Sequence, residues 1–219
     1  MSKNRKPQPS MIDPETVHCM FDLETLGAAD DTPIVQIGAV LFNPCGDVYP
    51  DHGVVPCEGG VMTDADSSFR IEVAVDDLSK ADFGTLQWWF AQGQEAQQAV
   101  FGRELERVPL RTALYRFGGW AAAAWGKDVD FWWSDMDFDL RLMRAAWGRE
   151  ARDYEPCPYG SDGGPHRGVR DVRTVKAIGR DLGIEEPEMA GTEHDALADA
   201  QYQAQLVSRV LTRLSVMEI

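Results

Sequence analysis

Four carboxylates and one imidazole stand out in this chain by their types and their spacing. Asp22 and Glu24 lie in FDLET (residues 21–25), Asp139 in DFDLRL (137–142), and His194 and Asp199 in HDALAD (194–199). Carboxylate oxygens are hard ligands that suit magnesium or manganese, whereas zinc prefers more nitrogen or sulfur. An imidazole beside such a cage can take a proton from water. If the three strings meet in space, their chemistry is metal-assisted hydrolysis. Each string alone is weak: acids at strand ends and small polar clusters at helix starts are ordinary surface features.

The elements that must position these residues can be read from periodicity. Val17, Cys19, Phe21 and Leu23 alternate with His18, Met20, Asp22 and Glu24, so a strand over residues 17–25 sends both acids to one face. The apolar run 129–133 reads as a buried strand feeding a helix over 138–147, with Asp139 in its first turn. Pattern alone leaves open which of Asp135, Asp137 and Asp139 points inward, because each is also placed to cap or to favour the helix dipole. From Ala196 onward apolar residues recur at helical spacing to residue 214, putting His194 at the helix entrance and Asp199 in its second turn. Further strands are expected over 33–42 and within 69–75, with NPCGD (43–47) as a turn. Helices are expected over 83–92, 95–102, 110–125 and 171–183, and a Pro- and Gly-rich loop over 155–168.

The three strings in this order resemble the DEDDh, or DnaQ-like, exonucleases, the group that includes RNase T, oligoribonuclease and the epsilon proofreading subunit. The blocks PIVQIGAVLFNPCGDV (33–48), DFGTLQWWFAQGQEA (82–96) and RDVRTV (170–175) are similar to the phage and prophage branch called exodeoxyribonuclease VIII-like or dexA-like. The resemblance spans residues 17–214. It implies an α/β, RNase H-like fold with a mixed five-stranded sheet flanked by helices. It also implies a 3′-5′ exonuclease releasing nucleoside 5′-monophosphates, with two Mg2+ (or Mn2+) ions held by Asp22, Glu24, Asp139 and Asp199, and His194 as general base. The Phe138-Asp139 pair selects Asp139 among the three candidates. In the expected mechanism two ions roughly 3.5 to 4 Å apart flank the phosphorus, one activating water and one stabilising the leaving 3′ oxygen. Asp22 bridges both, Glu24 and Asp199 complete the nucleophile-side site, and Asp139 holds the second ion. This chain departs from the family in carrying Ser134, Asp135 and Asp137 around Asp139, where extra acid opposes an anionic substrate.

Composition fits one domain over residues 16–219 behind a flexible tail at 1–15, with no internal repeat or Gly/Ser linker. No run is long enough to cross a bilayer, and the start lacks a secretion signal. The four cysteines, Cys19, Cys45, Cys57 and Cys157, include no CxxC pair; reduced thiols in a bacterial or phage-infected cytoplasm are the expectation.

A formal net charge of −15 argues against broad electrostatic tracking of a duplex, which needs positive surface and counterion release. The partner expected is therefore a single-stranded 3′ end, DNA first and RNA as the alternative, held through metals, stacking and backbone amides with low processivity. Thr25, Leu26 and Gly27 after the first acids, Trp88 of the Trp88-Trp89 pair, and Phe138 beside Asp139 are the residues expected to bind the substrate, with Trp88, Phe138 and Leu26 against the terminal base. A homodimer is left open. A rival of another class is a noncatalytic metal-binding interaction protein on the same scaffold; the complete set of five residues weighs against it.

Overall fold

The computed structural model describes residues 10–13, 16–44, 67–123, 129–153 and 168–217. Its centre is a six-stranded mixed sheet built from β1 (His18–Thr25), β2 (Ile34–Phe42), β3 (Ser68–Val73), β4 (Arg107–Val108), β5 (Phe131–Ser134) and β6 (Val169–Asp171). The order is β4-β3-β2-β1-β5-β6. β1, β2 and β3 form an antiparallel meander, while β5 runs parallel to β1 and β6 parallel to β5. The mixed α/β architecture expected from the sequence is present. Its sheet gains a sixth strand because the two-residue β4 pairs with the edge of β3.

The strand period of two decides what each sheet face carries. Cys19, Phe21 and Leu23 of β1 join a core with Ala113, Leu114 and Phe117 of α3 (Leu110–Ala123), and with Leu142, Met143, Ala146 and Trp147 of α4 (Arg141–Glu150). On the opposite face Met20, Val40, Phe42, Phe131 and Trp133 pack against Val172 of α5 (Val172–Asp181). Ala200, Ala204, Val207 and Leu211 of α6 (Ala196–Ser215) complete that layer. Asp22 and Glu24 continue the Met20 face. They emerge where the apolar cover from α6 runs out at the helix start.

A smaller cluster, Leu26, Val35, Trp89 and Val100, seals the end of β1 beneath α1 (Phe83–Ala91) and α2 (Gln94–Phe101). At the other end of β1, buried His18 accepts a 3.0 Å hydrogen bond from the Trp133 indole N–H and contacts Thr16 at 3.1 Å. Burial first, and then the nearby Arg170 charge, hold the His18 ring neutral, with a pKa lowered to about 3. Neutral His18 therefore locks β1 to β5. Cys19 is a free, buried thiol; Cys45, Cys57 and Cys157 lie outside the described residues, as do most of the expected turn at 43–47, nearly all of the 155–168 loop and most of the 1–15 tail. No described helix is long and apolar enough to cross a membrane.

Two expected boundaries move for physical reasons. The helix expected from residue 138 begins instead as a π turn over Met136–Leu140, in which the Leu140 N–H donates to the Asp135 carbonyl five residues back at 3.1 Å. The helix expected from 171 starts at Val172, because Asp171 ends β6 and then caps the helix by accepting from the Thr174 N–H at 2.9 Å.

Candidate active site

Asp22, Glu24, Asp139, His194 and Asp199 all border one cleft of about 740 Å³. Three elements deliver them: the end of β1, the π turn after β5, and the entrance of α6.

The entrance of α6 is fixed by β2. Glu24 pairs across the sheet with Gln36, and Asp22 with Gly38. The Gln36 side-chain oxygen accepts the Ala196 N–H at 2.7 Å, while its amide donates to the Ala99 carbonyl at 3.1 Å. Gly38 leaves room for the helix: a β-carbon there would stand 2.2 Å from the Ala196 carbonyl carbon and the Leu197 nitrogen. Asp195 caps α6 by accepting from the Leu197 and Ala198 N–H groups at 3.2 Å, and its other oxygen pairs with Arg70 of β3. His194, just before the cap, has a backbone φ of +65°, a left-handed conformation uncommon for a residue with a side chain. That twist lets its N–H donate to Asp199 Oδ2 at 3.1 Å. Glu24, His194 and Asp199 each present a ligand atom within 4.8 Å of the others.

Asp139 is brought in by the π turn. The extra residue in the turn, a device common at functional sites, leaves Asp137 exposed and Asp139 buried. The Asp135 N–H donates to Asp139 Oδ2 at 3.2 Å. Asp135 caps the turn through the Asp137 and Phe138 N–H groups, and its second oxygen pairs with Arg173. Asp135, one of the two extra acids expected to oppose an anionic substrate, is thus a cap with its charge compensated.

Electrostatics support a cation site. Among the described residues no salt bridge reaches Asp22, Glu24, Asp139 or Asp199. Burial, followed by repulsion from Asp139, Glu24 and Asp199, pushes the Asp22 carboxyl well above the usual range, partly offset by a 2.9 Å hydrogen bond from the Gln203 amide. Glu24 is raised to about 9 by burial and then by Asp199 and Asp139; Asp139 is raised to about 8 and Asp199 to about 6, burial leading in both. Carboxylates gathered with no ion pair of their own among the described residues, Arg173 acting on Asp139 only from its place beside Asp135, and offering oxygen donors, fit hard divalent ions.

The expected base-binding residues fare unevenly. Trp88 is 41% exposed and sets its ring edge-on to His194, with centroids 4.7 Å apart. Trp89 is in the core, its indole N–H donating to the Thr25 carbonyl at 3.0 Å. Phe138 borders the cleft. Thr25 and Gly27 form a closed turn, the threonine hydroxyl donating to the glycine carbonyl at 2.8 Å. Leu26 is a correction: its side chain is buried among Val35, Trp89 and Val100 rather than offered to the cleft, because α1 docks directly over the turn. Sequence reading missed Gln203, Gln36, Gly38, Arg173 and Lys176. Only Gln203 carried a signal, one helical turn after Asp199.

A family model described as the 3′-5′ exoribonuclease Rv2179c-like domain matches residues 17–211. Solved structures of Escherichia coli exonuclease I share the fold. The zinc-bound complex with single-stranded DNA matches with a TM-score of 0.59 and 15% identity over 92% of this chain and 41% of that one. A complex with a dT13 oligonucleotide matches at 0.59 and 17% over 91% and 41%. The apo enzyme matches at 0.58 and 16% over 90% and 42%. The chain thus spans about two fifths of those proteins. No curated protein sequence matches it. Neither kind of match bears on the phage branch.

Proposed function

The chain belongs to the Rv2179c-like 3′-5′ exoribonuclease domain family, and from that premise we propose that it is a 3′-5′ exonuclease dependent on two Mg2+ or Mn2+ ions, removing nucleoside 5′-monophosphates from single-stranded 3′ ends. The observation that carries this reading is the convergence of Asp22, Glu24, Asp139, His194 and Asp199 on one cleft. Divalent ions held by the four carboxylates would lower the pKa of an attacking water and offset charge on the leaving oxygen.

The chain's own residues then have distinct tasks. His194 takes the proton from the attacking water as the new oxygen–phosphorus bond forms. The bond from phosphorus to the upstream 3′ oxygen breaks with its electron pair going to that oxygen, which takes a proton from solvent and ends as a hydroxyl, while His194 returns its proton to solvent. Gln203 anchors one oxygen of Asp22, keeping the other turned to the cleft. Trp88 and the Asp199 contact hold His194 in its left-handed backbone state. The exposed part of Trp88 offers a face for the terminal base.

The family description favours RNA as the polymer cleaved. Single-stranded DNA is the second reading, supported by the oligonucleotide complexes of the structural neighbours, which share the fold at low identity. The test is incubation of 5′-labelled single-stranded RNA and DNA with magnesium or manganese, with 3′ ends free or blocked. A ladder shortening from free 3′ ends is expected. Internal cutting, or no dependence on the 3′ end, would sink the proposal.

A further inference from the structure

One edge of this acidic cleft is basic. Seven carboxylate residues border it, against a single arginine and a single lysine, Arg173 and Lys176. The two sit three residues apart on α5, and so share a face of the helix. Arg173 is anchored by Asp135, the residue that caps the π turn carrying Asp139, yet its side chain is 71% exposed. Lys176 lies 4.0 Å from Glu186 and 5.8 Å from the Tyr202 ring, and is 49% exposed. Of these two cations, Lys176 belongs to a pair exposed on both sides, which contributes little to stability, while the Asp135 partner of Arg173 is buried. Their donor groups exceed what those partners use, since a guanidinium has five N–H donors and an ammonium three.

We propose that Arg173 and Lys176 form a subsite for the backbone phosphate upstream of the scissile bond, on the strand that remains after cleavage. This inference rests on the exonuclease reading. A chain of net charge −15 repels a polyanion at long range, so the retained strand must be gripped locally by cations beside the carboxylates. A point charge at Lys176 and a planar fork at Arg173 fit successive phosphate oxygens. The tie through Asp135 sets Arg173 at a fixed station relative to Asp139.

The experiment compares wild type with Arg173→Gln, Lys176→Gln and the double variant on two substrates. One is a short single-stranded oligonucleotide. The other is the p-nitrophenyl ester of thymidine or uridine 5′-monophosphate, which has the scissile phosphodiester and no upstream phosphate. Each substitution is expected to raise oligonucleotide KM by about tenfold, with kcat and ester turnover within about twofold of wild type. The double variant should also show a shallower fall of kcat/KM with salt. Unchanged oligonucleotide KM in the double variant would overturn the subsite. So would equal losses on both substrates, which would mean that Arg173 acts only by holding the Asp135 cap; Lys176→Gln, remote from that cap, separates the two cases. If wild type cleaves neither substrate, the exonuclease reading fails on its own. Anisotropy of a 5′-labelled oligonucleotide in calcium still decides the subsite: weaker binding by the double variant supports it, and equal binding refutes it.

Discussion

Gly38 stands opposite Asp22 in the β1–β2 register, and its missing side chain is the space into which the first turn of α6 settles. One strand position thereby fixes the distance between the acids of β1 and the His194–Asp199 pair. Replacement by alanine puts a methyl group on the α6 backbone, which cannot yield as a side chain can. We expect Gly38→Ala to cost about 2 kcal/mol or more, in the range of core overpacking, and to abolish most nuclease activity while Asp22 and Glu24 remain. Thermal unfolding and end-labelled cleavage read the two effects; wild-type values for both would refute this account of the docking.

The carboxylate cluster makes stability depend on pH and metal in a defined direction. Glu24, Asp139 and Asp199 have folded-state values of about 9, 8 and 6, above the ordinary carboxylate range, and Asp22 is raised as well. The folded protein thus binds more protons than the unfolded chain between about pH 4 and pH 9, and metal-free stability falls as pH rises through that window. Divalent ions bind the deprotonated set. Added magnesium or manganese should raise Tm more at pH 8 than at pH 5 and release protons on binding, and EDTA should reverse both. A Tm gain larger at pH 5 would contradict the cluster's electrostatics.

Activity and stability should part company when one acid is neutralised. Glu24→Gln or Asp22→Asn keeps neutral a side chain that the metal-free fold must otherwise take up a proton to bury at pH 8, and is expected to raise the metal-free Tm at pH 8 by about 2–4 °C for each kcal/mol of that cost relieved. The same variants should lose activity by about 10³-fold, given the demand for cation binding at the reacting phosphate. A Tm that drops, with activity retained, would show these acids to be structural.

Trp88 should act through His194 as well as on substrate. Its ring meets the imidazole edge-on at 4.7 Å, so Trp88→Ala is expected to lower kcat by about tenfold in addition to raising KM, while Trp88→Phe restores much of kcat. His194→Ala should lose far more rate yet keep its metal-induced Tm gain, as expected of a proton acceptor. Loss of that gain would make the imidazole a ligand instead. The alanine and phenylalanine variants compared over a pH series test the positioning role.

What was legible in the sequence is what local pattern encodes. The alternation in β1 placed Asp22 and Glu24 on one face, and the helical spacing after Ala196 placed Asp199. Less accessible were features that depend on tertiary partners. β4 is two residues long and β6 three, too short to show a period, and each exists because a neighbouring strand offers an edge. The π turn reads as the start of an ordinary helix in sequence, since its extra residue is imposed by the Asp135 cap and the packing of Leu140. Leu26 looked like a base wedge because nothing in a linear reading shows α1 folding over it. The Asp135 charge looked like an obstacle until its partner, Arg173, was visible across the cleft.

The candidate site draws on segments far apart in sequence: two acids from the first strand, one from a turn some 115 residues later, and a histidine and an acid at the start of the last helix described. A nascent chain emerging from the ribosome therefore displays Asp22, Glu24 and Asp139 well before the segment that completes them. Until α6 settles beside Gly38, a half-made copy carries three of the acids without the histidine and the fourth carboxylate that border the same cleft.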